Sequence, residues 1–272
     1  MLPVLIAAKI ALSLAVLFYA SWSDYKTREV SDSVWILFAP PAFALTFAEL
    51  LLKGDFSMLS YYGLCFALTS AFAIILFYAG GFGGADAKAL MCLALALPFY
   101  PSELLKPLMG EASPIMNLFF PVTVFSNSVI LAALTAIYLL LHNLFWRLKS
   151  DSPLFEGEQQ KESVGKKILV LLTGYKVNFK KLKEKWHIYP LEDVEKVGEE
   201  GKVKRKLLTL PKDDEREAII KRLEKAFEAG KIRGKLWATP GLPMLIFMTA
   251  GLVLALVYGD VVWALVHFFM AR

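Results

Sequence analysis

Six stretches of this 272-residue chain are long and apolar enough to compete for a place in a bilayer. A hydrocarbon core about 30 Å thick needs roughly 20 residues of helix to cross it. The stretches fall at about 2–21, 34–52, 61–78, 89–108, 115–145 and 242–270. The first is broken only by Lys9 and the last contains Asp260, while the fourth carries Pro98, Pro101, Glu103 and Lys106. The first stretch lacks a basic N-terminal region and a small-residue cleavage site followed by polar sequence, so it reads as a permanent span. The expected fold is an all-α polytopic membrane protein with six transmembrane helices and a small α+β domain between the fifth and sixth.

Charge shows where that domain lies. Of 30 Lys+Arg and 25 Asp+Glu, 23 and 16 fall between Arg147 and Lys235, a net charge of +7 that leaves −2 for the rest. At 57% hydrophobic residues the whole chain is too apolar for a soluble fold. Two cysteines exclude a disulfide scaffold or a Cys-rich zinc module. The expected division is 1–145 for spans one to five, 146–237 for the basic domain and 238–272 for span six. Within the domain, 167–173, 186–191 and 206–210 read as strands. Residues 213–229 read as a helix with an acidic first turn (Asp213, Asp214, Glu215) and Gly230 as its stop. Ile219, Ile220, Leu223 and Phe227 form its apolar face. His142, His187 and His267 are scattered, no metal-ligand cluster or phosphate-cradling loop is evident, and no cofactor or metal is expected. Nor is a nucleic-acid partner. Anionic lipid headgroups account more simply for the basic loops, at about 1 kcal/mol per cation near the surface.

With six crossings, the loops 22–33 and 80–88 and the insert share one side. Arg147, Lys149, Arg233 and Lys235 near membrane ends, with Lys26 and Arg28, assign that side to the cytoplasm. Both termini are then outside. Asp24, where the first span ends, and Asp86, where the fourth begins, are expected at the same depth. Lys9 and Asp260 are expected near the outer interface, where long side chains snorkel. Gly80, Gly81, Gly83 and Gly84 precede Asp86. Gly83, Gly84 and Ala85 leave room for a peptide backbone to approach. Two neighbouring carboxylates share one proton, and their pKa values separate. The ionised member can activate water and the protonated one can donate to a peptide carbonyl, which is aspartic peptide hydrolysis. The rival reading is a non-enzymatic scaffold or a transporter, in which the carboxylates bind a cation or pair with basic residues; no repeat between the halves favours it.

Gly83-Gly84-Ala85-Asp86 resembles the Gly-x-Gly-Asp motif of intramembrane aspartic proteases. The stretch 20–35, with Asp24, Lys26, Arg28, Val30 and Ser31, resembles the first-Asp motif of the type IV prepilin peptidase family. The two motifs lie 62 residues apart with two spans between them. This resemblance implies that Asp24 and Asp86 are the catalytic pair. It also implies a substrate, a preflagellin or pilin-like precursor with a short basic leader, to which Glu29 and Asp32 would offer contacts. The insert before the last span is most similar to the archaeal preflagellin-peptidase branch. Cys65 and Cys92 sit in expected spans and do not form the Cys-x-x-Cys zinc module linked to N-methylation in bacterial members, so methyl transfer is not expected. The presenilin and signal-peptide-peptidase branch fits less well: it has Tyr-Asp and Pro-Ala-Leu where this chain has Ser23-Asp24-Tyr25 and Thr239-Pro240-Gly241-Leu242-Pro243.

Overall fold

A computed structural model describes residues 1–54, 56–80, 82–150, 153–197, 202–208, 213–241 and 243–270. The chain divides into two compact units, Met1–Ala132 with Pro243–Arg272, and Ala133–Leu242.

The first unit is helical. α1 (Leu2–Thr27), α2 (Asp32–Lys53) and α3 (Ser57–Tyr78) are long and apolar enough to cross a membrane, as is α6 (Phe120–Lys149), which runs on into the second unit. Their outward faces carry exposed large apolar side chains such as Phe18, Ile36, Leu68 and Ile75. Apolar exposure on that scale marks a surface made for another phase. Only helices and closed barrels satisfy every backbone group in lipid.

The fourth expected span, 89–108, is a shorter object. α4 (Gly84–Ala96) has 13 residues, about 20 Å of helix. Leu97 precedes Pro98, whose ring disfavours a helical conformation at the residue before it. The carbonyls freed at the break are taken up by side chains. Thr46 Oγ1 donates to Ala96 O (2.9 Å), Tyr62 OH to Leu95 O (3.2 Å) and Cys65 Sγ to Pro98 O (3.5 Å). This capping by α2 and α3 makes a helix end tolerable at membrane depth. Small residues let α4 pack closely: Ala87, Ala89, Ala94 and Ala96 are buried against α1, α2, α3 and α10. A five-residue helix, α5 (Pro114–Leu118), precedes α6.

The last stretch is also broken. α10 (Met244–Val257) and α11 (Val261–Met270) are bent by 58° at Gly259, which has φ 113°. Leu242, where the sixth span was expected to begin, lies outside the described residues. Among the described residues, the spans that length and apolarity support are therefore four, or five if the bent pair is one crossing.

Two expectations about charge are corrected. Lys9 does not snorkel; it is buried and ion-paired with Glu49 of α2, and Glu49 also pairs with Lys53 (2.8 Å). Asp260 is buried too. It accepts Ser113 Oγ (2.8 Å) and the Trp263 N–H (3.0 Å) that opens α11. Spacing along one helix gives depth but not the neighbours, and in both places a partner distant in sequence makes burial affordable.

The second unit carries the sheets. β1 (Tyr175–Val177), β5 (Leu236–Pro240) and β2 (Ile188–Pro190) form an antiparallel sheet in the order β1-β5-β2, and β3 (Glu192–Val197) pairs with β4 (Lys202–Leu207). α8 (Phe179–Glu184) and α9 (Asp213–Glu228) pack Leu182, Ile219 and Leu223 against Val177, Ile188 and Leu236. The expected strand 186–191 contains β2, and 206–210 overlaps the end of β4; Thr209 and Leu210 lie outside the described residues, as do the side chains of Asp213 and Asp214. Gly230 ends α9 with φ 65°. The expected strand 167–173 is instead the body of a helix, α7 (Val164–Thr173). Ser163 decides this by capping it, accepting the Lys166 N–H at 3.4 Å. A short apolar run has no periodicity of its own to separate strand from helix.

Candidate active site

α1 continues past the expected span end to Thr27, so Asp24 projects from its last helical turn rather than from a loop. Arg28 stops the helix in the left-handed region at φ 59°. The reversal that follows is tied by hydroxyls: Ser23 Oγ donates to Glu29 O (2.8 Å), as does Thr27 Oγ1 (3.0 Å). Ser31 then caps α2, accepting the Ser33 N–H at 3.4 Å. The reversal thereby becomes a fixed corner beside Asp24.

Asp86 sits in the first turn of α4, outside the long spans. Its Oδ2 accepts the Gly83 N–H at 3.0 Å, so the carboxylate caps its own helix. A Cβ at Gly83 would lie 3.1 Å from that oxygen. Gly83 is therefore matched to the carboxylate. Gly84 is less constrained, since its Cβ would meet only the Phe77 ring at 3.7 Å. Gly80 supplies a left-handed turn at φ 75°, and Phe82 packs edge-on against Phe125. Gly81 lies outside the described residues; Ala85 is partly buried within the first turn of α4.

α1 packs against α4. Burial, opposed by the Gly83 hydrogen bond and reinforced by the charge of Asp24, raises the Asp86 carboxyl to about 6. The two carboxylates are thus within electrostatic reach, and among the described residues no hydrogen bond joins them. Neither makes an ion pair there, whereas Asp32 accepts Lys88 Nζ at 2.5 Å. Asp32, expected to meet a leader, is engaged by Lys88. Glu29 is exposed at the corner.

One feature gave no signal in the sequence. An apolar groove of about 550 Å³, lined among others by Phe18, Ser21, Leu131, Ile246, Thr249 and Val253, opens along α1, α6 and α10. Ser21 lies three residues before Asp24, about 4.5 Å along the helix. Its hydroxyl is bonded to Thr249 Oγ1 (2.7 Å) and Leu245 O (2.9 Å), fixing α1 against α10 at this level.

Two family models match. The one described as the type IV leader peptidase family covers residues 11–139, and so spans both Asp24 and Asp86. The one described as the archaeal peptidase A24 C-terminus, type II, covers 166–261. The chain belongs to the type IV leader peptidase family. Membership makes it a peptidase, and its apolar helices make it a multi-pass membrane protein. Among its relatives is a preflagellin peptidase of Methanococcus voltae, 25% identical over 264 residues, covering 94% of this chain and 97% of the relative. A preflagellin peptidase of Methanococcus maripaludis is 23% identical over 254 residues (90% and 92%). One from Methanocaldococcus jannaschii is 27% identical over 177 residues (61% and 73%). The second match extends the family assignment through the sheet-bearing unit and α10.

Proposed function

We propose that this leader peptidase is an intramembrane aspartic endopeptidase that removes the short basic leader of preflagellin or pilin-like precursors. One observation carries the reading. On the packed helices α1 and α4, neither Asp24 nor Asp86 makes an ion pair among the described residues, and burial pushes Asp86 up to about 6.

Near neutrality such a pair holds one proton between its members. The ionised carboxylate takes a proton from water as the water oxygen attacks the scissile carbonyl carbon. The protonated carboxyl donates to the carbonyl oxygen. Collapse of the tetrahedral adduct breaks the C–N bond, and a proton returns to the leaving amine. The pair titrates as a unit, so the two roles belong to the dyad. Gly83, Gly84 and Ala85 form the open approach for the scissile strand. Asp24 and Glu29 add negative charge for a basic leader, and Asp32 joins them when Lys88 releases it. The apolar groove beside Ser21 offers a seat for the helix that follows the leader.

The proposed topology keeps six crossings. Residues 89–108, the body of α4 after its first turn with the extended segment that follows, serve as the fourth, and the bent α10–α11 pair as the sixth. The catalytic end and the basic insert then face the cytoplasm, with both termini outside. The working division is 1–145, 146–237 and 238–272.

The test is leader removal by the purified protein in detergent, with a pilin-like precursor as substrate. Asp24→Asn and Asp86→Asn should each abolish cleavage while the protein still inserts. Full cleavage by either variant overturns the dyad. No cleavage by the native chain under conditions where a precursor is bound favours the scaffold reading.

A further inference from the structure

α7 is amphipathic in the wrong direction for a water-soluble domain. At 100° per residue, Val170 marks the side turned to the protein, where it packs with Leu191, Leu207 and Trp237. The opposite side carries Gly165, Ile168 and Leu172, with Val164 and Leu169 at its two edges. Val164 is 71% exposed, Ile168 48% and Leu169 50%. Both lysines of the helix are held by other partners: Lys166 by Glu162 (3.1 Å) and Lys167 by Gln160 O (2.6 Å). The outward face is therefore apolar, with no charge of its own.

The depth of α7 is set by α6. Asn143 is buried, and its Nδ2 donates to Leu171 O (3.0 Å) and Gly174 O (2.7 Å), taking up a carbonyl that the end of α7 leaves free. Leu139, Asn143 and Trp146 lie on one side of α6. The other side stays apolar and exposed through Leu141, Leu144, Phe145 and Leu148, beyond the point of attachment, and only then meets Lys149. The end of α7 is thus tied to α6 at a level where α6 still presents a lipid-type surface. The unit that holds it is basic, as a partner of an anionic leaflet should be.

We infer that α7 is an interfacial helix that buries Val164, Ile168, Leu169 and Leu172 in the headgroup and acyl boundary of the same bilayer that α6 crosses. The occupant of this face is lipid, and its role is to hold the inserted unit against the membrane surface. The inference needs α6 as a span and is independent of the catalytic assignment.

The test uses the full chain in a mixed phosphatidylcholine and phosphatidylglycerol bilayer. Nitroxide labels are placed on Ile168→Cys, Leu169→Cys and, as a water reference, Lys180→Cys. The parent chain, whose Cys65 and Cys92 are buried, gives the background. At 168 and 169, collision with dissolved oxygen should be several-fold higher than at 180, and collision with a water-soluble nickel complex several-fold lower. Nickel accessibility at 168 and 169 equal to that at 180 would put the face in water and overturn the inference. Exclusion of both reagents would also overturn it, because a protein segment would then cover the face.

Discussion

The helical unit and the sheet-bearing unit treat charge alike in their interiors and oppositely at their surfaces. Each buries an acid that is held by a base. In the helical unit it is Glu49, with Lys9 and Lys53. In the other it is Glu192, fully buried and gripped by Arg205 through Nε and Nη2, both at 2.9 Å. Outside, the helical unit shows Phe18, Ile36 and Ile75, while the part of the sheet-bearing unit beyond α6 shows mainly Lys and Glu, with α7 as the main exception. A buried charge needs a partner in either setting, so an acid without one stands out. In the helical unit Asp24 and Asp86 make no ion pair among the described residues, although the charge of Arg28 reaches Asp24, and they lie on neighbouring helices.

The sharpest way to break this comparison is to neutralise the unpaired acids. Asp24→Asn or Asp86→Asn should reduce leader cleavage by about a thousand-fold or more, read as product formed per minute. Neutralising a paired acid's partner should instead cost stability. Arg205→Ala leaves Glu192 buried and uncompensated, and should destabilise the sheet-bearing unit by about 3–5 kcal/mol. Faster limited proteolysis within that unit would report it. Lys9→Met should cost less, about 1–3 kcal/mol, because Lys53 still holds Glu49; the thermal midpoint in detergent measures it.

Asp86→Asn should have a stability effect of the opposite sign. The folded chain raises the Asp86 carboxyl to about 6, so its ionised form favours unfolding. That penalty is absent in acid, grows as pH rises toward about 6 and is constant above. The gain in thermal midpoint of Asp86→Asn over the native chain should follow the same window. An equal gain at pH 4 and pH 8 would contradict it. The smallest effect is expected at Gly83→Ala. A Cβ there lies 3.1 Å from Asp86 Oδ2 and displaces the carboxylate by a few tenths of an ångström. Cleavage should fall about tenfold with the fold intact.

The sequence and the structure part company at particular residues. Asp24, Asp86 and the glycines stood out as candidates because each is anomalous in its own segment. So was the helix 213–229, whose apolar face repeats at helical spacing. The run 167–173 was misread because a short apolar segment carries no period, and the Ser163 cap outranked its β-branched residues. Lys9 and Asp260 were expected to snorkel and are buried instead, because their partners, Glu49 and Ser113, lie on other segments. β5 left no comparable signature, and its pairing with both β1 and β2 is what makes it a central strand.

The amino-acid sequence by itself determined that long stretches would be helices in a membrane, since an apolar run in lipid can satisfy its backbone in few other ways. It also determined where the basic insert lies, because charge resists burial whatever the fold. Only the tertiary structure decided that α4 stops at Ala96, that Lys9 and Asp260 are buried, and that the 167–173 run shows its apolar side outward. Those outcomes depend on Thr46, Tyr62, Glu49, Ser113 and Asn143, residues far off in the chain whose side chains complete hydrogen bonds and ion pairs that the local sequence leaves open.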